Sequence, residues 1–254
     1  MKGAMRDVDD QRNRWATYRL RQGLVEDAGD GFAVGGLGDL MEKLDVRLLI
    51  LPSDPLADVV PLDGEVLDWL KQQRDSPFGG SAVEWGHRSR ASSTALIVYN
   101  QYDESKGWDR YLALHRHGGV ESASSRLAYQ LREMWIFALR SIVGLSWSVL
   151  AIQAEAIKRW TIQHPLELTV ALSRTKGATL GDFAEGWAQP GYGLFEFPKC
   201  TEENVLFRWE ISETFDPGEI ALDLGDRLEQ AFGTIHRRHI ARSGPYDGKF
   251  DPRF

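Results

Sequence analysis

Near the carboxyl end two histidines and two arginines occupy four consecutive positions, His236, Arg237, Arg238 and His239, with Arg242 close behind. Histidines three apart share one face of a helix, but a metal would need a third ligand and the arginines would repel a cation. Guanidinium groups pair with phosphate or carboxylate in a bidentate fork. The cluster therefore reads as the solvated basic end of a helix or, where it has a role, as a contact for a phosphate or a protein partner, with no metal. A second pair, His115 and His117 in "HRH", falls on one face of a strand. Its neighbour is a Gly-Gly turn, so His117 is expected to be exposed. Without an adjacent carboxylate or cysteine the pair is a poor ligand set, and hairpin structure is the expectation. In "DESKG", Glu104 and Lys106 have the carboxylate–lysine spacing that metal-dependent nucleases place on a strand, but here it falls in a turn. Cys200 follows Lys199, and a nearby cation lowers a thiol pKa, but no base accompanies it, so it is expected to be buried and structural. The glycine-rich loop "GDFAEGWAQPGYG" carries Asp182, Glu185, Trp187 and Tyr192. Aromatic side chains on such a loop either stack on a ligand or anchor the loop to the core. Trp187 and Tyr192 join the tail residues as candidate binding residues.

No residue set qualifies as catalytic. G-x-S-x-G, H-E-x-x-H and G-x-x-x-x-G-K-[ST] do not occur. Gly36 and Gly38 match the start of a dinucleotide fingerprint, but Met41 stands at the third glycine. No cofactor is expected.

Charge narrows the partners. The formal net charge is −7. Residues 231–254 carry Arg237, Arg238, Arg242, Lys249 and Arg253 against Asp247 and Asp251, a net +3, which leaves −10 on the remaining chain. Nucleic-acid binding needs clustered cations facing phosphates, so only the tail offers it. An anionic body also disfavours an anionic membrane surface. The most apolar window, residues 134–152, is broken by Arg140, at about 2.5–3.5 kcal/mol near a bilayer centre. A buried core helix is the expectation and membrane partners are not. One cysteine rules out an internal disulfide, and the amino-terminal residues lack a secretory pattern. A cytoplasmic protein is expected.

The elements that position these residues follow from periodicity and punctuation. "RLLIL" reads as a buried strand stopped by Pro52 and Pro55, and "DGEVLDWLKQQRD" has helical spacing. "SPFGGSAVEWGHRSRASS", residues 76–93, reads as a linker between a mostly helical region, 1–75, and a domain spanning 94–254. Within that domain "TALIVYN", "RYLALHR" and "VESAS" form an antiparallel meander. Residues 126–139 fit strand and helix alike. Ser141 to Trp160 reads as a helix capped by Ser141, with Lys158 and Arg159 suiting its last turn. "LELTVALS" is a strand. "NVLFRWEIS" is another, with Val205, Phe207, Trp209 and Ile211 on its buried face. The last helix has Asp216 as N-cap, Pro217 in its first turn, and an apolar stripe of Ile220, Leu224, Leu228 and Phe232 ended by Gly233. The fold class is α+β, an antiparallel sheet with covering helices.

"WDRYLALHRHGGVE", "GDFAEGWA", "CTEENVLFRWEI" and "RLEQAFG" come in an order that resembles the carboxyl-terminal region of bacterial Schlafen-type, AlbA-like DNA-binding/ATP-binding proteins. The resemblance covers roughly residues 95–254. Those proteins carry their nucleic-acid-binding domain at the amino-terminal end, and residues 1–94 contain no match to it, so no nucleotide-contacting residue is carried over. The resemblance implies an accessory subunit of a bacterial defence or nucleic-acid-associated complex. Together with nine tryptophans and no catalytic set, it favours a non-catalytic binding or regulatory protein, with a protein partner or a second copy as the contact. The rival expectation is a metal-dependent nuclease using Asp182, Glu185 or Glu196 with the basic tail, or a nucleic-acid binder using the tail alone.

Overall fold

The computed structural model describes residues 45–75, 83–101, 109–131, 133–181 and 198–234. The tail residues His236, Arg237, Arg238, His239 and Arg242 lie outside them. So do Trp187, Tyr192, Asp182, Glu185, Glu196 and the "DESKG" turn.

The described residues form fifteen elements in chain order. Strand β1 is Asp45–Pro52 and helix α1 is Gly64–Gln72. Short strands β2 (Arg74–Asp75) and β3 (Val83–Glu84) pair with each other. Then come β4 (Arg88–Ala91), β5 (Ala95–Asn100), β6 (Arg110–His115), β7 (Val120–Ser124), β8 (Ala128–Leu131) and β9 (Met134–Ala138). Helix α2 is Leu139–Arg159, β10 is Leu166–Ser173, β11 is Thr179–Gly181, β12 is Asn204–Ile211 and helix α3 is Pro217–Ala231. The fold is α+β. Seven strands form an antiparallel sheet in the order β12-β10-β1-β7-β6-β5-β4, and β11, β9 and β8 form a small second sheet.

The meander is present as β5, β6 and β7, adjacent and antiparallel. The expected division at residues 76–93 does not separate two bodies. β1 sits inside the sheet between β10 and β7, and β4, within the expected linker, forms one edge of it. The reason is β1's composition: Val46, Leu48 and Ile50 are fully buried on one face, and only a neighbour on each side satisfies such a strand's backbone.

The two faces of the sheet differ. One packs against α1, α2 and α3 through a large core that includes Leu48, Leu112, Leu168, Val149 and Leu228. α2 is the buried helix expected from the apolar window, though residues 134–138 are strand, and its N-cap is Ala138 without a side-chain hydrogen bond, not Ser141. No helix among the described residues is long and apolar enough to cross a membrane. α3 starts as expected: the Asp216 carboxylate accepts from the N–H groups of Gly218 at 2.7 Å and Glu219 at 3.4 Å. It ends with Gly233 at φ +79°, a conformation that suits glycine. On the other face the described residues form a separate core, Ala95, Ile97, Tyr111, Ala113 and Ala123, all from strands.

Candidate functional site

Two places in the sheet concentrate polar chemistry, and the strand register builds both. In the first, Ala113 on β6 stands opposite Glu121 on β7. Residues two apart on a strand share a face, so Tyr111 and His115 flank Ala113 and reach across its small methyl group to Glu121. The Tyr111 hydroxyl donates to Glu121 Oε1. His115 Nε2 lies 2.9 Å from Glu121 Oε2. The His117 ring stacks on His115 at 5.1 Å and 3° from parallel, and its Nδ1 accepts from the Gly119 N–H at 3.1 Å. From α2, Gln153 Oε1 accepts from Val120 N and its Nε2 donates to Gly118 O, both at 3.0 Å. That amide satisfies a donor and an acceptor of the buried turn. Gly119 is required here, because a Cβ would come within 2.3 Å of Ile50 O.

Two expectations are thereby corrected. His117 is buried, not exposed. The histidine pair also has a carboxylate partner, brought from six residues along the chain by the hairpin. Burial, reinforced by neighbouring His115, holds the His117 pKa well below the usual histidine value.

Tyrosine, carboxylate and histidine in a chain can relay a proton, and such sets serve as acid–base machinery where a substrate reaches them. Here Tyr111 is 1 % exposed, His115 0 % and Glu121 4 %. A substrate has no approach to them, and His115 Nδ1 has no hydrogen-bond partner. The cluster is a buried polar core that locks strand register. Among the described residues no group of histidine, cysteine and carboxylate side chains is arranged to hold a metal.

A second buried polar knot holds β2 and β3 to the helix-covered face. Arg110 Nη1 lies 3.5 Å from Asp75 Oδ2, its Nη2 donates to Glu84 O at 2.6 Å, and the guanidinium stands 5.2 Å from the Trp85 ring centre. Burial raises the Asp75 pKa, with Arg110 and the Ser148 hydroxyl opposing. This too is closed to solvent. Cys200 is buried, as expected, with its thiol toward Glu202 O at 3.7 Å.

The open chemistry lies at the sheet edge. Among the described residues β12 pairs with β10 alone. In an antiparallel strand alternate residues turn N–H and C=O to opposite sides, so half of the β12 backbone groups point away from the sheet. β12 is eight residues long against four for β4 at the opposite edge. Its expected alternation is present. Val205 and Ile211 are buried and Phe207 and Trp209 half-buried, while Asn204, Leu206, Arg208 and Glu210 are exposed. Leu206 is 53 % exposed, one of two large apolar side chains so open among the described residues. From α3, Asp223 Oδ2 accepts from Trp209 Nε1 at 2.7 Å and pairs with Arg227 at 2.8 Å. The Arg227 guanidinium in turn covers the indole at 4.7 Å. These contacts pin the β12 indole to α3.

The chain matches no protein-family model, no curated protein and no solved structure.

Proposed function

We propose that this chain is a non-catalytic accessory or regulatory binding protein that acts through protein–protein contact, and that the outer edge of β12 is its contact strand. The observation that carries the reading is a long strand that pairs on one side alone among the described residues, held by the Trp209–Asp223–Arg227 set and displaying Leu206. An extended partner segment adds to such an edge by main-chain hydrogen bonds, and side chains at alternate positions give specificity. The buried Tyr111–Glu121–His115 set supports the non-catalytic part, because its acid–base groups are sealed from any substrate. The resemblance to the carboxyl-terminal region of the AlbA-like proteins includes "CTEENVLFRWEI", the β12 stretch itself. It supports a place as a subunit of a bacterial defence or nucleic-acid-associated complex.

The test compares two proline variants of the full chain, Leu206→Pro and Phe207→Pro. Of two consecutive strand residues one turns its N–H outward, so one variant keeps the β10 ladder while removing an edge donor and crowding the approach. A partner recovered in stoichiometric amount on the wild-type chain is expected to be lost on the variant that melts like wild type. Equal recovery on that variant overturns the reading.

A further inference from the structure

The second face of the large sheet is covered, and among the described residues no helix covers it. Its core comes from strands alone, whereas α1, α2 and α3 pack on the opposite face. Ile97 and Tyr111 are nevertheless only 1 % exposed. Both rise above the alanines beside them, so no neighbour within the sheet hides them, and a second layer must lie over them. The cover has edges. On β4, Arg88 and Arg90 stand opposite Tyr99 and Ile97 and are exposed. On the other side Leu49 of β1 is buried, Thr169 of β10 half-buried and Arg208 of β12 exposed. The covered stripe is therefore β5, β6, β7 and β1. With strands about 4.8 Å apart it is roughly 19 Å wide, more than one helix of about 10–12 Å spans.

Length and point of departure decide which part of the chain lies there. Residues 76–82 and 102–108 join the paired ends of β2–β3 and β5–β6. A connection of that length reaches about 12 Å and back, short of the roughly 17 Å from Asn100 to Ala95. Residues 182–197 and 235–254 depart beside Leu180, Cys200 and Phe232, all in the helix-side core, and would have to pass around the sheet. Residues 1–44 lead straight into β1, inside the covered stripe. Their sequence suits the place. Leu37, Leu40, Met41 and Leu44 recur at i, i+3, i+4 and i+7 with Asp39, Glu42 and Lys43 between them, the pattern of a helix with one apolar face. Trp15 and Tyr18 stand three apart in an earlier charged stretch. Gly29, Gly31, Gly35 and Gly36 separate the two, so the chain can double back. Two helical segments side by side match the width of the stripe.

We infer that residues 1–44 dock on the second face of the sheet, over β5, β6, β7 and β1, and form the wall that seals the Tyr111–Glu121–His115 set from solvent. Ala95, Ala113 and Ala123 make a shallow floor there, and small side chains let a facing apolar stripe pack closely. The contact strand is a separate matter, because β12 lies beyond the covered stripe.

The experiment places the photo-crosslinker benzoylphenylalanine in the full chain at Trp15, Met41, Trp187 or Tyr246 in turn and maps the captured peptides by mass spectrometry. Positions 15 and 41 are expected to capture β1, β5, β6 or β7 of the same chain, and positions 187 and 246 are not. Capture of α1, α2 or α3 from positions 15 and 41, capture of the stripe from 187 or 246 in their place, or no capture at all would overturn the inference. Capture between two copies alone would make a second chain the cover and overturn it too. A thiol probe then measures the seal. In the Cys200→Ser/Ala123→Cys chain, adding Leu40→Asp/Leu44→Asp is expected to speed labelling at position 123 about tenfold or more. Cys200, buried on the helix side, is expected to stay protected when the same two substitutions are made in the otherwise native chain. Unchanged labelling at position 123, or an equal loss of protection at Cys200, would overturn the docking.

Discussion

The centre of the sheet and its β12 edge use the same kinds of side chain to opposite ends. At the centre a glutamate is sandwiched by Tyr111 and His115 and is almost wholly buried. At the edge Glu210 stands in solvent opposite a second glutamate. A charge taken out of water is tolerated only when hydrogen-bonded on all sides, so the central carboxylate is committed to its partners and cannot serve a ligand. A charge left in water costs the fold little and remains available. Polar residues that look chemical in the sequence are therefore structural where the sheet closes over them and open to solvent where it ends.

The sharpest way to break this contrast is Glu121→Ala. It strands the Tyr111 hydroxyl and a histidine nitrogen in the core, and a loss of roughly 3–5 kcal/mol is expected in urea unfolding. A loss below about 1 kcal/mol would mean that the cluster is hydrated and accessible, and the non-catalytic reading would fail with it. Gln153→Leu comes next. It leaves Val120 N–H and Gly118 C=O without their partner, and about 2–3 kcal/mol is expected on the same assay. Neither substitution touches β12, so partner recovery measured well below the melting temperature should persist.

How much of this was legible beforehand follows from the kind of signal each element carries. β12 and α3 announce themselves by alternation and by the Asp216–Pro217 start, both local patterns that the structure repeats. The meander was readable too, because its turn residues are local. The Tyr111–Glu121–His115 set was not, since it depends on the register Ala113↔Glu121, a non-local fact. Once that pairing is fixed, the i−2 and i+2 neighbours of Ala113 could have been read from the chain. His117 was misplaced because a Gly-Gly turn ordinarily faces water, whereas this one is held inside by Gln153. The linker expectation failed for a related reason. Glycine and serine near 76–93 mark real turns, but β4 between them gains its stability from pairing with β5, which composition does not reveal. The edge position of β12 was equally hidden, because strand order is set by long-range pairing.

Acid provides a finer probe of the closed centre. His117 stays neutral in the fold, while the unfolded chain takes up a proton near the usual histidine pKa of about 6.5. The unfolded state therefore binds more protons below that pH, and stability should fall as the pH drops, by up to about 1.4 kcal/mol per pH unit for this one group. Thermal melts between pH 7.5 and 5 test it. His117→Asn should flatten the slope over that interval. An unchanged slope would show that this histidine is already open to protonation in the folded chain.

The smallest stability change belongs to the edge, and it separates the two regions most cleanly. Glu210→Lys replaces the like-charge opposition with Glu167 by an attractive pair. Cross-strand charge pairs are worth about 0.2–1 kcal/mol, so the variant should unfold slightly later in urea than the wild-type chain. If β12 exists only to complete the sheet, that gain is the whole effect. If it is the contact strand, the same substitution must also weaken recovery of the partner while the fold is strengthened. A change that raises stability and lowers binding together is one that no loss of structure can imitate.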